Sequence, residues 1–352
     1  MFKFIKLQAE NLFPAYFALV MATGALSIGT HLLGMEIFSK SLLYVNIAAY
    51  LILWLLTLTR IVFFFPKLIS DLTSHQNGPG FFTLVAGTSV FGSQLIIVAE
   101  NHTIPLYLWG VAIFLWLIIM YTFFTAVTIR KDKPAIQQGI NGAWLIAAVG
   151  TQSVSILGTL LVPFVHSGQN IILFFTLCMY FLGCMLYLNI ITLIFYRFTF
   201  VEFKYSALTP PYWINMGAVA ITTLAGSTLI LHAEYFPLLM EITPFLKGFT
   251  LFFWITGTWW IPLLFILMIW RHLYHHYPFS YDPQFWGMAF PLAMYTTSTF
   301  QLSKALGVPL LMAIPRFMVF IAIVAWMVVF FGLIHHLYLK YNHYRRLEKR
   351  YR

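Results

Sequence analysis

The sequence predicts an all-α integral membrane protein of ten transmembrane helices, arranged as five helical hairpins whose odd-numbered members line a central pore. Three observations carry this reading. First, the chain is 61% hydrophobic and only 9% charged, where an ordinary soluble domain carries about 25% charged residues; no soluble core could bury that much apolar surface. Second, ten apolar stretches, near 13–33, 41–65, 80–99, 104–129, 140–162, 170–196, 211–231, 247–270, 285–305 and 312–338, are each long enough to cross a bilayer. Third, the stretches alternate in kind: the odd ones are rich in Gly, Ala, Ser and Thr, the even ones in Leu, Ile and Phe. Small residues let helix backbones approach closely or border a cavity, and bulky ones suit lipid, so the odd helices belong inside and the even ones outside.

The connecting loops are short, so residues 1–352 form one polytopic domain with a short N-terminal segment (about 1–12) and a basic tail (about 340–352). Lys3 and Lys6 ahead of an apolar run outline a signal peptide, but the run from Phe13 to Leu33 is too long for one and reads as a retained first helix. A formal charge of +10 would suggest nucleic acid in a soluble protein. Here the cations sit in loops and report orientation instead. Lys3, Lys6, Arg60, Lys67, Arg130, Lys131, Lys133, Arg197, Lys204, Arg271 and the tail fall on one side; Lys40, Lys247, Lys304 and Arg316 fall on the other. Both termini are therefore expected in the cytoplasm of a cell-membrane protein, which requires an even number of helices. Cys178 and Cys184 lie in one apolar stretch and read as small hydrophobes that do not pair.

The odd helices repeat a local pattern. Pro14-Ala-Tyr16 is followed by Thr23, Pro79-Gly-Phe81 by Thr88 and Trp144 by Thr151, in each case seven residues after the aromatic. Pro211-Tyr-Trp213 and Pro283-Gln-Phe285 open the last two, with Ala220 and Leu292 at the Thr position. Such hairpin repeats imply pseudo-symmetry, and transport sites commonly lie where repeats meet. Since Asp, Glu, Lys, Arg and His are missing from the middle of every span, with His31, Arg60, Glu100, His232, Lys304 and Arg316 at span ends, any polar path must be built from hydroxyls and freed backbone groups. Thr23, Thr88, Thr151 and Thr222 are the hydroxyl candidates for lining it. Gly24, Gly87, Gly150 and Gly217 would widen it, and Pro291 should bend the ninth helix.

These inner segments carry a resemblance. FPAYFALVMATGALSIG at 13–29, PPYWINMGAVAITTLAG at 210–226 and WGMAFPLAMYTTSTF at 286–300 resemble the tellurite-resistance/dicarboxylate transporter family. That family includes bacterial tellurite-resistance proteins, fungal malate and sulfite carriers and the slow anion channels of plant guard cells. The resemblance implies transport of small inorganic or organic anions, a homotrimer in the bilayer, and a gate at Phe290, the Phe that precedes Pro291. It implies neither cofactor nor nucleic acid. Two other functions are open to the residues. A proton-coupled carrier of C4-dicarboxylates or oxyanions (malate, sulfite, tellurite) would need a titratable site, for which only Glu100 and His31 offer themselves. A di-iron membrane enzyme would use the box His272, His275, His276 with His335, His336 and His343. Such enzymes need more ligand boxes than this, so no metal is expected and the histidines read as interfacial anchors.

The charge asymmetry makes a direct prediction. A reporter active only outside the cytoplasm should be silent when fused to Arg352, and strong activity there would overturn the topology.

Overall fold

The computed structural model describes the backbone of residues 2–350, with side chains except those of 2–4, 343–345 and 347–350. Met1, Tyr351 and Arg352, and the side chains of Lys3, His343, Arg345, Lys349 and Arg350, lie outside the described residues. No strand occurs among the described residues. Ten long helices follow one another: α1 (Ala18–Leu32), α2 (Glu36–Phe63), α3 (Phe82–Ala99), α4 (Thr103–Ile129), α5 (Ile146–Leu161), α6 (Gln169–Phe200), α7 (Ile214–Leu231), α8 (Pro237–Ile269), α9 (Trp286–Leu306) and α10 (Ala313–Arg350). Nine of these stretches, α9 excepted, are both long and apolar enough to cross a membrane among the described residues. α9 is long enough but carries a Thr/Ser-rich run, Thr296 to Thr299.

Each odd helix is entered through a short 3-10 turn: Pro14–Phe17, Gly78–Phe81, Gly142–Leu145, Pro210–Trp213 and Pro283–Phe285. Four contain Pro in the first two positions, where a missing N–H costs nothing. The turn at Gly142 is capped instead by Asn141, whose Oδ1 accepts from the Ala143 N–H at 2.8 Å. The repeat noticed in the sequence is thus a repeated helix entrance. The five turns touch each other in a closed circle. At Gly142 the approach is so close that a Cβ would stand 2.2 Å from the Pro211 carbonyl oxygen.

Above the turns, α1, α3, α5, α7 and α9 form a second closed circle, α9 returning to α1. Each even helix packs outside it, against the odd helix before it and the one after. Between 78% and 94% of the apolar windows of α1, α3, α5 and α7 is buried, against 22–44% for the even helices. The inside–outside division expected from small-residue content is the division observed.

Two sets of polar contacts hold this arrangement. Between hairpins, every even helix sends at least one aromatic donor to the next odd helix. Tyr50 Oη donates to Thr88 Oγ1 (3.2 Å), Trp116 Nε1 to Thr151 Oγ1 (2.8 Å), and Tyr187 Oη to the Asn215 carbonyl (3.4 Å). Trp254 Nε1 donates to Thr299 Oγ1 (3.0 Å) and Trp326 Nε1 to Thr23 Oγ1 (2.9 Å), the last closing the circle from α10 back to α1. Within hairpins, a buried arginine near the end of an even helix reaches the residue two before its own odd helix's 3-10 turn. Arg60 donates to the Leu12 carbonyl at 3.0 Å, Arg197 to that of Ile140, and Arg271 to that of Leu208. In the fifth hairpin the rings of His336 and Tyr281 stand in the same relation, 5.4 Å apart.

Helix ends differ from the apolar limits drawn on the sequence. α8 begins ten residues earlier than expected, at Pro237, and runs through Pro244 and Pro262; α10 continues well past 338. Backbone hydrogen bonding does not stop where lipid does, so apolarity marks the span and not the helix. The short N-terminal segment forms a helix over Phe2–Glu10 packed against α2.

Candidate functional site

Because the five inner helices run parallel and all begin at the circle of 3-10 turns, the axis between them is bordered by one stripe of each. Two cavities lie along it. The larger, about 380 Å³, opens among the turns as a vestibule. Its rim is made of neutral amides, Gln76, Asn77, Gln137, Gln138, Asn141 and Gln284; its wall continues through Ala18, Met21, Thr83, Ile146, Val149, Ile214 and Gly287; Phe290 borders it. Among the described residues no Asp or Glu borders the vestibule, and Arg197 is the charged residue that does. The smaller cavity, about 20 Å³, is bordered by Ala25, Ile28, Val90, Ser93, Ser153, Ile156, Ile221, Leu224, Met294 and Thr297. That is room for about one water. On every inner helix these residues continue the vestibule's stripe at helical spacing, as Met21 to Ala25, Thr83 to Val90, Val149 to Ser153, Ile214 to Ile221 and Phe290 to Met294.

Phe290, expected as the gate, is 1% exposed and borders the vestibule, one turn before Met294 of the second cavity. The other sequence-nominated lining residues stand elsewhere, and none borders either cavity. Thr23, Thr88 and Thr151 carry the hydroxyls that receive Trp326, Tyr50 and Trp116, so they face the outer helices. Thr222 is buried and donates to its own helix at the Ala218 carbonyl, 2.8 Å. The four glycines stand close against neighbouring inner segments. A Cβ at Gly24 would come 2.8 Å from Val90, at Gly87 3.3 Å from Phe17, at Gly150 3.4 Å from Phe82, and at Gly217 2.6 Å from Pro291. Pro291 is thereby the knob seated on Gly217, and its missing N–H leaves the Gly287 carbonyl without its helical donor. The hydroxyl-bearing residues that border the smaller cavity are Ser93, Ser153 and Thr297. Sequence reasoning passed over them because they lie off the aromatic-plus-seven register; the register that finds them is the helical spacing from Thr83, Val149 and Phe290.

Around the mouth the electrostatics favour anions. The N-terminal ends of five parallel helices face the vestibule, each equivalent to about half a positive charge. Arg130, Lys131 and Lys133 precede the segment carrying Gln137 and Gln138 and are exposed. Burial first, then Arg130 and Lys133, lower the His75 pKa from its ordinary value.

The histidine box gathers no metal set: among the described residues no three His, Cys, Asp or Glu side chains converge. His272 Nδ1 meets the Tyr277 carbonyl at 2.9 Å, and His275 stacks on Tyr205 at 4.4 Å. Of the proton-site candidates, Glu100 is exposed just past the end of α3, and His31 lies in the last turn of α1. Neither borders the axial cavities.

The placement of Thr151 is testable. Thr151→Val leaves the Trp116 indole N–H without a partner, so the purified protein should lose about 1–2 kcal/mol of stability while anion selectivity stays unchanged. A change in selectivity without loss of stability would put this hydroxyl on the conduction path after all.

Comparison with known proteins agrees with this architecture. A profile described as voltage-dependent anion channel matches residues 11–334. An uncharacterized membrane protein of Mycobacterium tuberculosis is 34% identical over 152 residues, covering 43% of this chain and 77% of that protein. An uncharacterized transporter of Methanocaldococcus jannaschii is 25% identical over 311 residues, 85% of this chain and 86% of its own; a second from the same organism is 25% identical over 303 residues, 82% and 83%. With the profile match running from just ahead of the first 3-10 turn to the far part of α10, and with multi-pass helices enclosing one axis, the chain belongs to the voltage-dependent anion channel family, whose members move anions across membranes.

Proposed function

We propose that this protein is a channel for small anions, that the path runs along the axis of the inner helices, and that Phe290 closes it in the conformation described. The observation that carries the reading is the position of Phe290: its side chain stands where the vestibule ends, and the axial space beyond it shrinks from about 380 to about 20 Å³. A bulky apolar ring in a narrow, nearly uncharged passage shuts it by steric block and dewetting. Neutral amides and helix N-termini hold an anion weakly enough to release it, which conduction requires. All ten helices cross the bilayer in this reading, with both termini and the vestibule on the cytoplasmic side. Since one chain supplies all five inner helices, each copy in the homotrimer implied by the resemblance keeps its own path.

The proton-coupled carrier of dicarboxylates or oxyanions finds less support. Among the described residues neither axial cavity is bordered by a carboxylate or a histidine, so none of them gives a proton a station on the anion's route. The enzyme reading finds less support too, since His272, His275 and His336 are engaged by a carbonyl and aromatic rings.

Phe290→Ala should raise anion current through bilayers at matched protein density. The protein should remain folded and lose less stability than with Phe123→Ala, a fully buried ring between α4 and its neighbours for which about 3–5 kcal/mol is expected. A folded Phe290→Ala protein with no gain in current would place the gate elsewhere. Collapsing the pH gradient at a fixed anion gradient should leave flux unchanged. Abolished flux, dependent on Glu100, would establish the carrier.

A further inference from the structure

Of the three buried arginines, Arg197 stands apart. Arg60 is neutralised by Asp71, and Arg271 lies over the ring of Tyr277 at 4.1 Å, away from the vestibule. In both, the unbonded Nε is sealed inside the protein. Arg197 is 7% exposed and has no carboxylate in ion-pair reach; the ion pairs among the described residues are Lys40–Glu36, Arg60–Asp71 and Lys67–Glu10. Its Nη1 donates to the Ile140 carbonyl and the Tyr212 hydroxyl, and the rings of Phe203 and Tyr212 lie 5.2 and 5.8 Å from the guanidinium carbon. These contacts fix the plane of the guanidinium. They leave Nε and Nη2 without a hydrogen bond, and neither is sealed. The side chain borders the vestibule between the entrances of α5 and α7.

A buried cation without a counter-charge is costly unless an anion completes it. The two free donors, Nε–H and Nη2–H, point in parallel from one edge of the guanidinium. That edge fits two oxygens of one planar group, the bidentate geometry of arginine with carboxylates and oxyanions. A halide offers a single centre to the same pair. The other vestibule residues, Gln76, Asn77 and Gln284 among them, can donate to the remaining oxygen without competing in charge.

We propose that Arg197 is an anion-binding residue at the vestibule, selecting anions that present two coplanar oxygens, carboxylates or nitrate-like oxyanions, over halides. The proposal rests on the vestibule being the anion's route and names the chemical class of anion that route takes. In its structural role Arg197 matches Arg60 and Arg271, a latch within a hairpin; lysine can keep both the latch and the charge but not the two-donor edge.

The test is binding of sodium nitrate and sodium chloride to detergent-purified protein at constant ionic strength, read as anion-dependent stabilisation against heat, in wild type and Arg197→Lys. Wild type should half-saturate at lower nitrate than chloride. Arg197→Lys should weaken nitrate by about tenfold or more, the loss of one charge-assisted hydrogen bond, with chloride little changed. Equal nitrate half-saturation in both proteins would overturn the proposal. Should the lysine variant not fold, crystals of wild type soaked in selenite decide it. Anomalous selenium density within hydrogen-bonding distance of Nε and Nη2 supports the site, and density elsewhere with none at Arg197 overturns it. Neither readout needs current. Nitrate bound at Arg197 in a protein that carries no current would sink the channel reading and keep the site; current with nitrate binding indifferent to Arg197→Lys would do the reverse.

Discussion

Inside a bilayer, helices gain nothing by hiding apolar surface from one another, because lipid is as apolar as they are. Association rests on close backbone approach and on hydrogen bonds across helices. In this protein the second requirement is met between all five hairpins by one device, an aromatic donor on an even helix reaching the next odd helix, from Tyr50–Thr88 around to Trp326–Thr23. The first is met by small residues between inner helices, with Gly217 taking the ring of Pro291. Because each donor binds the following hairpin and the last binds the first, the five hairpins close into a circle around one axis. Once the inner helices are parallel and closed, the rest follows: one stripe of each must face the axis, and all five N-terminal ends must share one mouth.

That geometry brings the functional chemistry from parts that look inert in isolation. Neutral amides and helix ends supply the attraction that a charged bore would make too strong to release. Leaving carboxylates out of the vestibule removes the sites that would hold cations. The arginine latches that fasten three hairpins are structural at Arg60 and Arg271, and the third, Arg197, opens onto the mouth. A passage so nearly free of charge cannot be closed by electrostatic repulsion, so the proposed reading gives the barrier to an apolar ring, Phe290.

Much of this was legible in the sequence. The hairpins follow from ten apolar stretches, and the inner helices from their small residues, because those properties belong to composition. The entrances of the inner helices were visible as Pro-plus-aromatic pairs. The direction in which Thr23, Thr88 and Thr151 point was not. A buried threonine satisfies itself through its own helix, as Thr23 does at the Leu19 carbonyl, whichever way it faces, so spacing alone showed a repeat without showing its face. Phe290 cannot be told from the other phenylalanines among 36 by periodicity; only the resemblance singled it out. Arg197 read as an orientation marker because it lies at a span's end, and its place on the vestibule depends on how α5 and α7 fold around it.

The central claim is that the stripe through Met21, Val149, Ser153 and Phe290 faces the anion path and that the threonine register faces the outer helices. Single cysteines placed at Ser153 and at Thr151, in a Phe290→Ala protein with Cys178 and Cys184 replaced, separate the two faces under a charged, membrane-impermeant thiol reagent. The account predicts that Ser153→Cys reacts and its current is blocked, while Thr151→Cys carries current indifferent to the reagent. Rapid block at Thr151→Cys with Ser153→Cys inert would contradict it.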